Sequence, residues 1–196
     1  EQGNIKGVIN VLNEEDMVSE AKQAELEIAR GRQLVQSGND LIEKGIQTIQ
    51  AQVEEYILRA KALMLDFDNA DRFSLACNAY ERAVELTRNH LSQAELADRL
   101  NDYFCFLHEN KQFSKCEAYI EECVSIWVEL CRDHPEMYES DLADSYNNLA
   151  VLYSDIHRFR ECEAMHKSAL AIRERLAKAN PQAYEPDLAD SYNNLA

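Results

Sequence analysis

Apolar and polar residues follow one another at helical spacing along most of this chain. Over residues 14 to 66, which contain no proline, the spacing becomes a sustained seven. Ala21, Ile28, Val35, Ile42, Ile49, Tyr56 and Leu63 form one row, and Met17, Ala24, Gly31, Gly38 and Gly45 form a second row, three positions on. Sustained heptads predict a coiled-coil seam rather than an ordinary amphipathic helix. The glycines run against this, since each costs about 1 kcal/mol relative to Ala in a helix interior; a close helix–helix approach would offset that cost. Ser37-Gly38-Asn39-Asp40 is also a turn signal. The segment therefore reads either as one long helix or as an antiparallel hairpin, with the heptad phase continuing across Gly38 in favour of the first. Either form needs an apolar partner, from this chain or from another copy.

Beyond residue 54 the pattern changes from a heptad to a longer repeat. Tyr138-Glu-Ser-Asp-Leu-Ala-Asp-Ser-Tyr-Asn-Asn-Leu-Ala150 returns, with one change, as Tyr184-Glu-Pro-Asp-Leu-Ala-Asp-Ser-Tyr-Asn-Asn-Leu-Ala196. A weaker copy lies one period earlier, at Glu95-Leu96-Ala97-Asp98 followed by Leu100, Asn101 and Tyr103. Units of this length cannot bury their apolar faces alone and stack into arrays with long surfaces. In register the copies read Tyr146-x-x-Leu149-Ala150-x-x-Tyr153, then Phe159, then Cys162-x-x-x-His166-x-x-Ala169. Before them come Leu100, Tyr103, Phe104, Leu107, Phe113, Cys116, Ile120 and Cys123, and more divergently Ala60, Leu63, Met64, Phe67, Phe73, Ala76, Tyr80 and Ala83. Phe104 stands where a small residue is usual, so a smaller neighbour such as Cys123 or a local spreading of helices is expected. His134-Pro135 and Asn180-Pro181 through Pro186 are expected to break helices. Asp141 and Asp187 are expected to cap the next ones, with Asp144 and Asp190 three residues on.

This pattern resembles the tetratricopeptide repeat, with Tyr146 in place of the family's Trp, Ala150 for its Gly and Cys162 for its first Ala. The units are longer than usual for the family, and the Asn-Asn-Leu-Ala core is similar to the kinesin-light-chain type found in many bacterial proteins. The resemblance implies an all-α fold, an α-solenoid of antiparallel helix pairs, preceded here by the heptad-patterned segment. Residues 1–13 read as the remnant of a preceding repeat, with Gly3-Asn4-Ile5-Lys6-Gly7-Val8-Ile9 as a turn and second helix. Residues 14–53 read as the long helix, and 54–196 as the array, with units at 54–90, 95–134 and 141–180 and a half-repeat at 187–196. The array is expected to continue past Ala196, whose helix would dock on another molecule or fray.

In that family the first helix of each repeat lines a concave groove. Carried over position by position, the groove residues are Asp98, Asn101, Asp102, Cys105, His108 and Glu109, then Asp144, Asn147, Asn148, Val151, Ser154 and Asp155, then Asp190, Asn193 and Asn194. Asn side chains can pair with the backbone of an extended peptide. Members that clamp a carboxylate terminus carry Lys where this chain has Asp98 and Asp144, so a basic peptide is the expected partner. Alternatively, Asn147 and Asn148 serve neighbouring helix ends.

Composition narrows the classes further. Five Gly and three Pro are few for a β or loop-rich fold, and a net charge of −16 opposes binding to nucleic acid or an anionic membrane surface. The six cysteines show no C-x-x-C pair, and Cys116, Cys123 and Cys162 fall at small packed positions. Reduced cysteines and the lack of a membrane span or signal peptide favour the cytoplasm, although a leader could have been removed from a chain that begins without Met. Phosphate loops, nucleophile elbows and zinc spacings are missing, so neither catalysis nor a cofactor or metal is expected. His108, His134, His157 and His166 are scattered singly. Three readings follow: a non-catalytic interaction scaffold with an acidic, Asn-lined groove; an oligomeriser acting through residues 14–66; and the regulatory segment of a larger bacterial signalling protein.

Overall fold

The structure, a computed structural model, describes residues 14–195, and side chains from Gln23 onward apart from Ala24 and Glu25. The expected repeat remnant at 1–13, the side chains of Met17 and Ala21, and Ala196 lie outside the described residues. Seven helices and no strand occur among the described residues: α1 Glu14–Leu65, α2 Arg72–His90, α3 Gln93–Glu109, α4 Phe113–Asp133, α5 Pro135–Asp155, α6 Phe159–Ala179 and α7 Pro181–Leu195. The chain divides into two compact units, Glu1–Thr48 and Ile49–Ala196.

The described part of the first unit is helical throughout, and the turn signal at Ser37-Gly38-Asn39-Asp40 is not used. Its polar face carries local bonds, such as Gln36 Nε2 donating to Asp40 Oδ1 at 2.9 Å. Its apolar residues stay in solvent: Leu34, Leu41 and Ile42 are 74, 69 and 64 % exposed.

The second unit is an array in which each helix from α3 to α7 packs on the one before it. Its core follows from the repeat: Ala60, Ala76, Ala97, Leu100, Leu107, Cys116, Ile120, Cys123, Ala150 and Leu152 are wholly buried. Small residues let the helices approach, and large ones fill the space beside them. Tyr80 and Tyr103 stack at 5.4 Å, and Phe73 stacks on Phe106 at 5.6 Å. Phe104 is buried and stacks on His108 one turn on, at 5.5 Å. Cys123 is used as a small core residue, its thiol against the Ala97 carbonyl at 3.3 Å and the Ser145 hydroxyl at 3.4 Å. Phe67 and Phe159 differ from the expectation of core placement, at 77 and 63 % exposed.

The helices break at His134-Pro135 and Asn180-Pro181 as expected, and Pro135 and Pro181 open α5 and α7, because the first turn of a helix has no use for their missing N–H. Asp141, Asp144 and Asp187 consequently lie inside helices and cap nothing, and Pro186 is carried within α7. The capping box forms at α3, where Ser92 Oγ accepts from Glu95 N and the Glu95 carboxylate accepts from Ser92 N. α3 and α5 end alike. Lys111 and His157 adopt φ of 60° and 63°, Gln112 N reaches back to Leu107 O at 2.9 Å, and Arg158 N reaches back to Tyr153 O at 2.7 Å. This left-handed closure satisfies carbonyls that the helix end would orphan.

Candidate partner-binding site

The expected groove residues fall on α3, α5 and α7, and side-chain bonds tie these alternate helices together along one face. Asn148 Nδ2 donates to Asn101 Oδ1 at 2.9 Å, joining α5 to α3. One repeat on, Asn194 Nδ2 donates to Asn147 Oδ1 at 2.8 Å, joining α7 to α5. His108 Nε2 meets Asp155 Oδ2 at 2.7 Å between α3 and α5. The asparagines thus pair with one another rather than with helix ends. Each step uses one carbonyl and one amide, and leaves the Nδ2 of Asn101 or Asn147 and the Oδ1 of Asn148 or Asn194 for other partners.

The acidic residues divide into two groups. Asp102 pairs with Arg99 at 3.1 Å, and Arg99 also meets Glu54 at 3.1 Å. Asp144 pairs at 2.6 Å with Arg173, whose buried guanidinium also donates to Ser191 Oγ at 2.9 Å and the Asp187 carbonyl at 3.2 Å. That arginine binds α5, α6 and α7 together, so the Asp144 charge is engaged in packing. Asp98, Glu109 and Asp190 make no ion pair among the described residues. Partial burial raises the Asp98 carboxyl above its ordinary value, and the charge of Asp141 adds to the rise. Asp141 is raised likewise, by burial and then by Asp144. Asp190, Asn193 and Ser154 are exposed, with no side-chain bond among the described residues.

Two open depressions lie on this face. The larger, of about 500 Å³, is lined by the apolar side chains of Tyr80, Phe106, Met64 and Cys105 together with Lys61, Asp102, Glu109 and Asn110. Burial, with Asp102 and Glu109 adding, pushes the Tyr80 hydroxyl up to about 12. The smaller, of about 110 Å³, is lined by Phe104, Cys105, His108, Glu109, Asn148 and Val151. Sequence reasoning found Cys105, Glu109 and Val151 but missed Lys61, Tyr80 and Phe106, which belong to other helices or to the packing set. It also missed Arg173. The available signal was that Arg173 stands one period after Trp127, at an apolar position. No cluster of three metal-ligating side chains occurs among the described residues, and no described helix is long and apolar enough to cross a membrane.

Residues 142–182 match a model of the tetratricopeptide repeat. The crystal structure of BtubC (BKLC) from P. vanneervenii superposes with a TM-score of 0.55 and 25% sequence identity, covering 73% of this chain and 53% of that one. The chain therefore spans about half the length of that relative. No curated protein matches the sequence. The helix pairs, their repeat period and these two likenesses together make this chain an all-α helical-repeat protein of the tetratricopeptide type.

Proposed function

We propose that the array is a non-catalytic scaffold that holds an extended, basic peptide segment across α3, α5 and α7. Tetratricopeptide repeats are protein-interaction scaffolds, and the finer reading rests on one observation. The Asn101–Asn148 and Asn147–Asn194 pairs set out successive amide groups along one face, each with a free donor and acceptor for a peptide backbone. Around them Asp98, Glu109 and Asp190 supply unpaired negative charge, while Asn193 and Ser154 extend the polar surface. Asp102, Asp144 and His108 shape the face and hold its helices, the first two with their charges already balanced by arginines.

The test is fluorescence anisotropy with a labelled peptide alternating Lys and Ala, set against its Glu–Ala counterpart. The basic peptide should bind, with affinity falling as salt rises. Asp98→Asn combined with Glu109→Gln should weaken it and flatten its salt dependence, and Asn148→Ala should weaken it about fivefold, the scale of one hydrogen bond. Equal binding of both peptides would count against an acidic site. Unchanged affinity in Asn148→Ala would count against backbone capture.

A second reading, self-association through residues 14–66, is favoured by the exposed apolar residues of the first unit.

A further inference from the structure

Within Glu1–Thr48, α1 presents Ile28, Leu34, Val35, Leu41, Ile42 and Ile46 to solvent, each more than a third exposed. Beside this row lie Gly31, Gly38 and Gly45, and a Cβ built on any of the three would meet nothing within 4 Å. The chain's own packing thus gives no reason for glycine at these positions. A helix interior nevertheless disfavours it. Something that approaches the helix closely would supply the reason, and the order of large and small residues says what.

Ile28, Val35 and Ile42 form one heptad row, and Gly31, Gly38 and Gly45 form the other. A parallel pair of such helices sets each row against itself, glycine over glycine and isoleucine over isoleucine, with a void at every second layer. An antiparallel pair sets one row against the other. In one register, centred between Gln36 and Ser37, Ile28 faces Gly45 of a second copy, Val35 faces Gly38, and Ile42 faces Gly31. By symmetry the same three contacts form again in the opposite direction. Sliding one heptad either way leaves Ile28 or Ile42 without a glycine. Leu34 and Leu41, each one residue before the large row, flank the seam.

We propose that two copies of this chain pair antiparallel through residues 26–46, with Ile28, Val35 and Ile42 of each copy seated over glycines of the other. Ile28, Leu34, Val35, Leu41, Ile42 and Ile46, six of the seven large apolar residues that this segment leaves exposed, offer on the order of 1,200 Å² to the pair, where specific interfaces begin. This pairing rests on the self-association reading, and its register and direction go beyond it.

The experiment has two parts. Sedimentation equilibrium of the full chain reports whether a dimer forms. Oxidative cross-linking of a mixture of Ile28→Cys chains and Gly45→Cys chains, followed by peptide mapping that sets aside the six native thiols, reports direction. A dimer linked from position 28 to position 45 supports the proposal. A dimer linked 28 to 28 and 45 to 45 overturns it while leaving self-association intact, and a monomer removes both. Gly38→Ala gives an independent reading, because Ala fits the isolated helix. It should loosen the dimer about tenfold with helix content by circular dichroism retained. A dimer equally tight or tighter in Gly38→Ala overturns the seated contact.

Discussion

Lys111 and His157 carry the left-handed backbone that ends α3 and α5, a conformation that side chains with a Cβ adopt at a cost. Lys111→Gly should raise stability by about 0.5–1 kcal/mol. Each change also gives up a contact, the Lys111 ammonium 5.6 Å over the Phe113 ring and the His157 ring 5.7 Å from Phe159; His157→Gly should gain less, because an aromatic pair is worth more than an exposed cation over a ring. Urea denaturation of both variants checks the order. His166 titrates in the opposite sense to a paired histidine. Burial, and then Arg173, lower it below its ordinary value of 6.5, so the folded state prefers the neutral ring. That contribution is whole above pH 6.5 and is lost as pH falls through the lowered value. His166→Ile, the residue found one period earlier at Ile120, should remove this part of the acid slope, seen as melting temperatures of variant and parent diverging below pH 6.5. The packing positions Leu149, Ala150, Tyr153 and Ala169 were legible in the sequence because the repeat period marks them independently in several copies. The engagement of Asp144 was not legible, since its partner Arg173 lies a helix away and only the three-dimensional stacking of α5 on α6 brings the two together. The same holds for the asparagines, whose pairing partners lie a whole repeat apart.

At the level of the element, boundaries were harder to read than identities. A proline stops a helix that approaches from its N-terminal side, but at the first helical position it starts one, and the two cases look alike in sequence. Hence Pro135 and Pro181 were legible as punctuation, while the punctuation was placed a turn and a half too late, at Asp141 and Asp187. Ser92 and Glu95 show the signal that does locate a start: a hydroxyl followed three residues on by a carboxylate, ahead of an apolar run. Ser92→Ala should cost about 1 kcal/mol. It should also change the acid limb, because the Ser92 hydroxyl is the first cause holding Glu95 below its ordinary 4.5. That contribution is present above pH 4.5 and disappears as pH falls through the lowered value. Parent and Ser92→Ala should therefore converge in stability under acid conditions, which chemical denaturation at pH 7 and below pH 4 would show. The long helix is the converse case. Its turn signal at Gly38-Asn39-Asp40 is chemically sound, but folding back there would break a heptad row that runs unbroken from Ile28 to Ile49.

On the scale of the second unit, each helix from α3 to α7 meets its neighbours in sequence, so stability is set by a line of local interfaces rather than by one core. A lesion should then be felt locally. Ala169 is buried at 1 % exposure in α6, and Ala150, at 0 %, is in α5 beside it. Ala169→Leu adds methylenes where these helices meet and should cost about 1–3 kcal/mol by overpacking. Cys162→Leu should cost less, because Cys162 is only half-buried and has room to yield. The distribution of the loss is the sharper test. Native-state hydrogen exchange should show the amides of residues 135–195 opening more readily in Ala169→Leu. Amides of α2 through α4, whose packing runs through Tyr80, Tyr103, Ile120 and Trp127, should keep their protection. A uniform loss from residue 72 to residue 195 would mean that the unit unfolds as one cooperative body, and the nearest-neighbour description of the array would have to be abandoned.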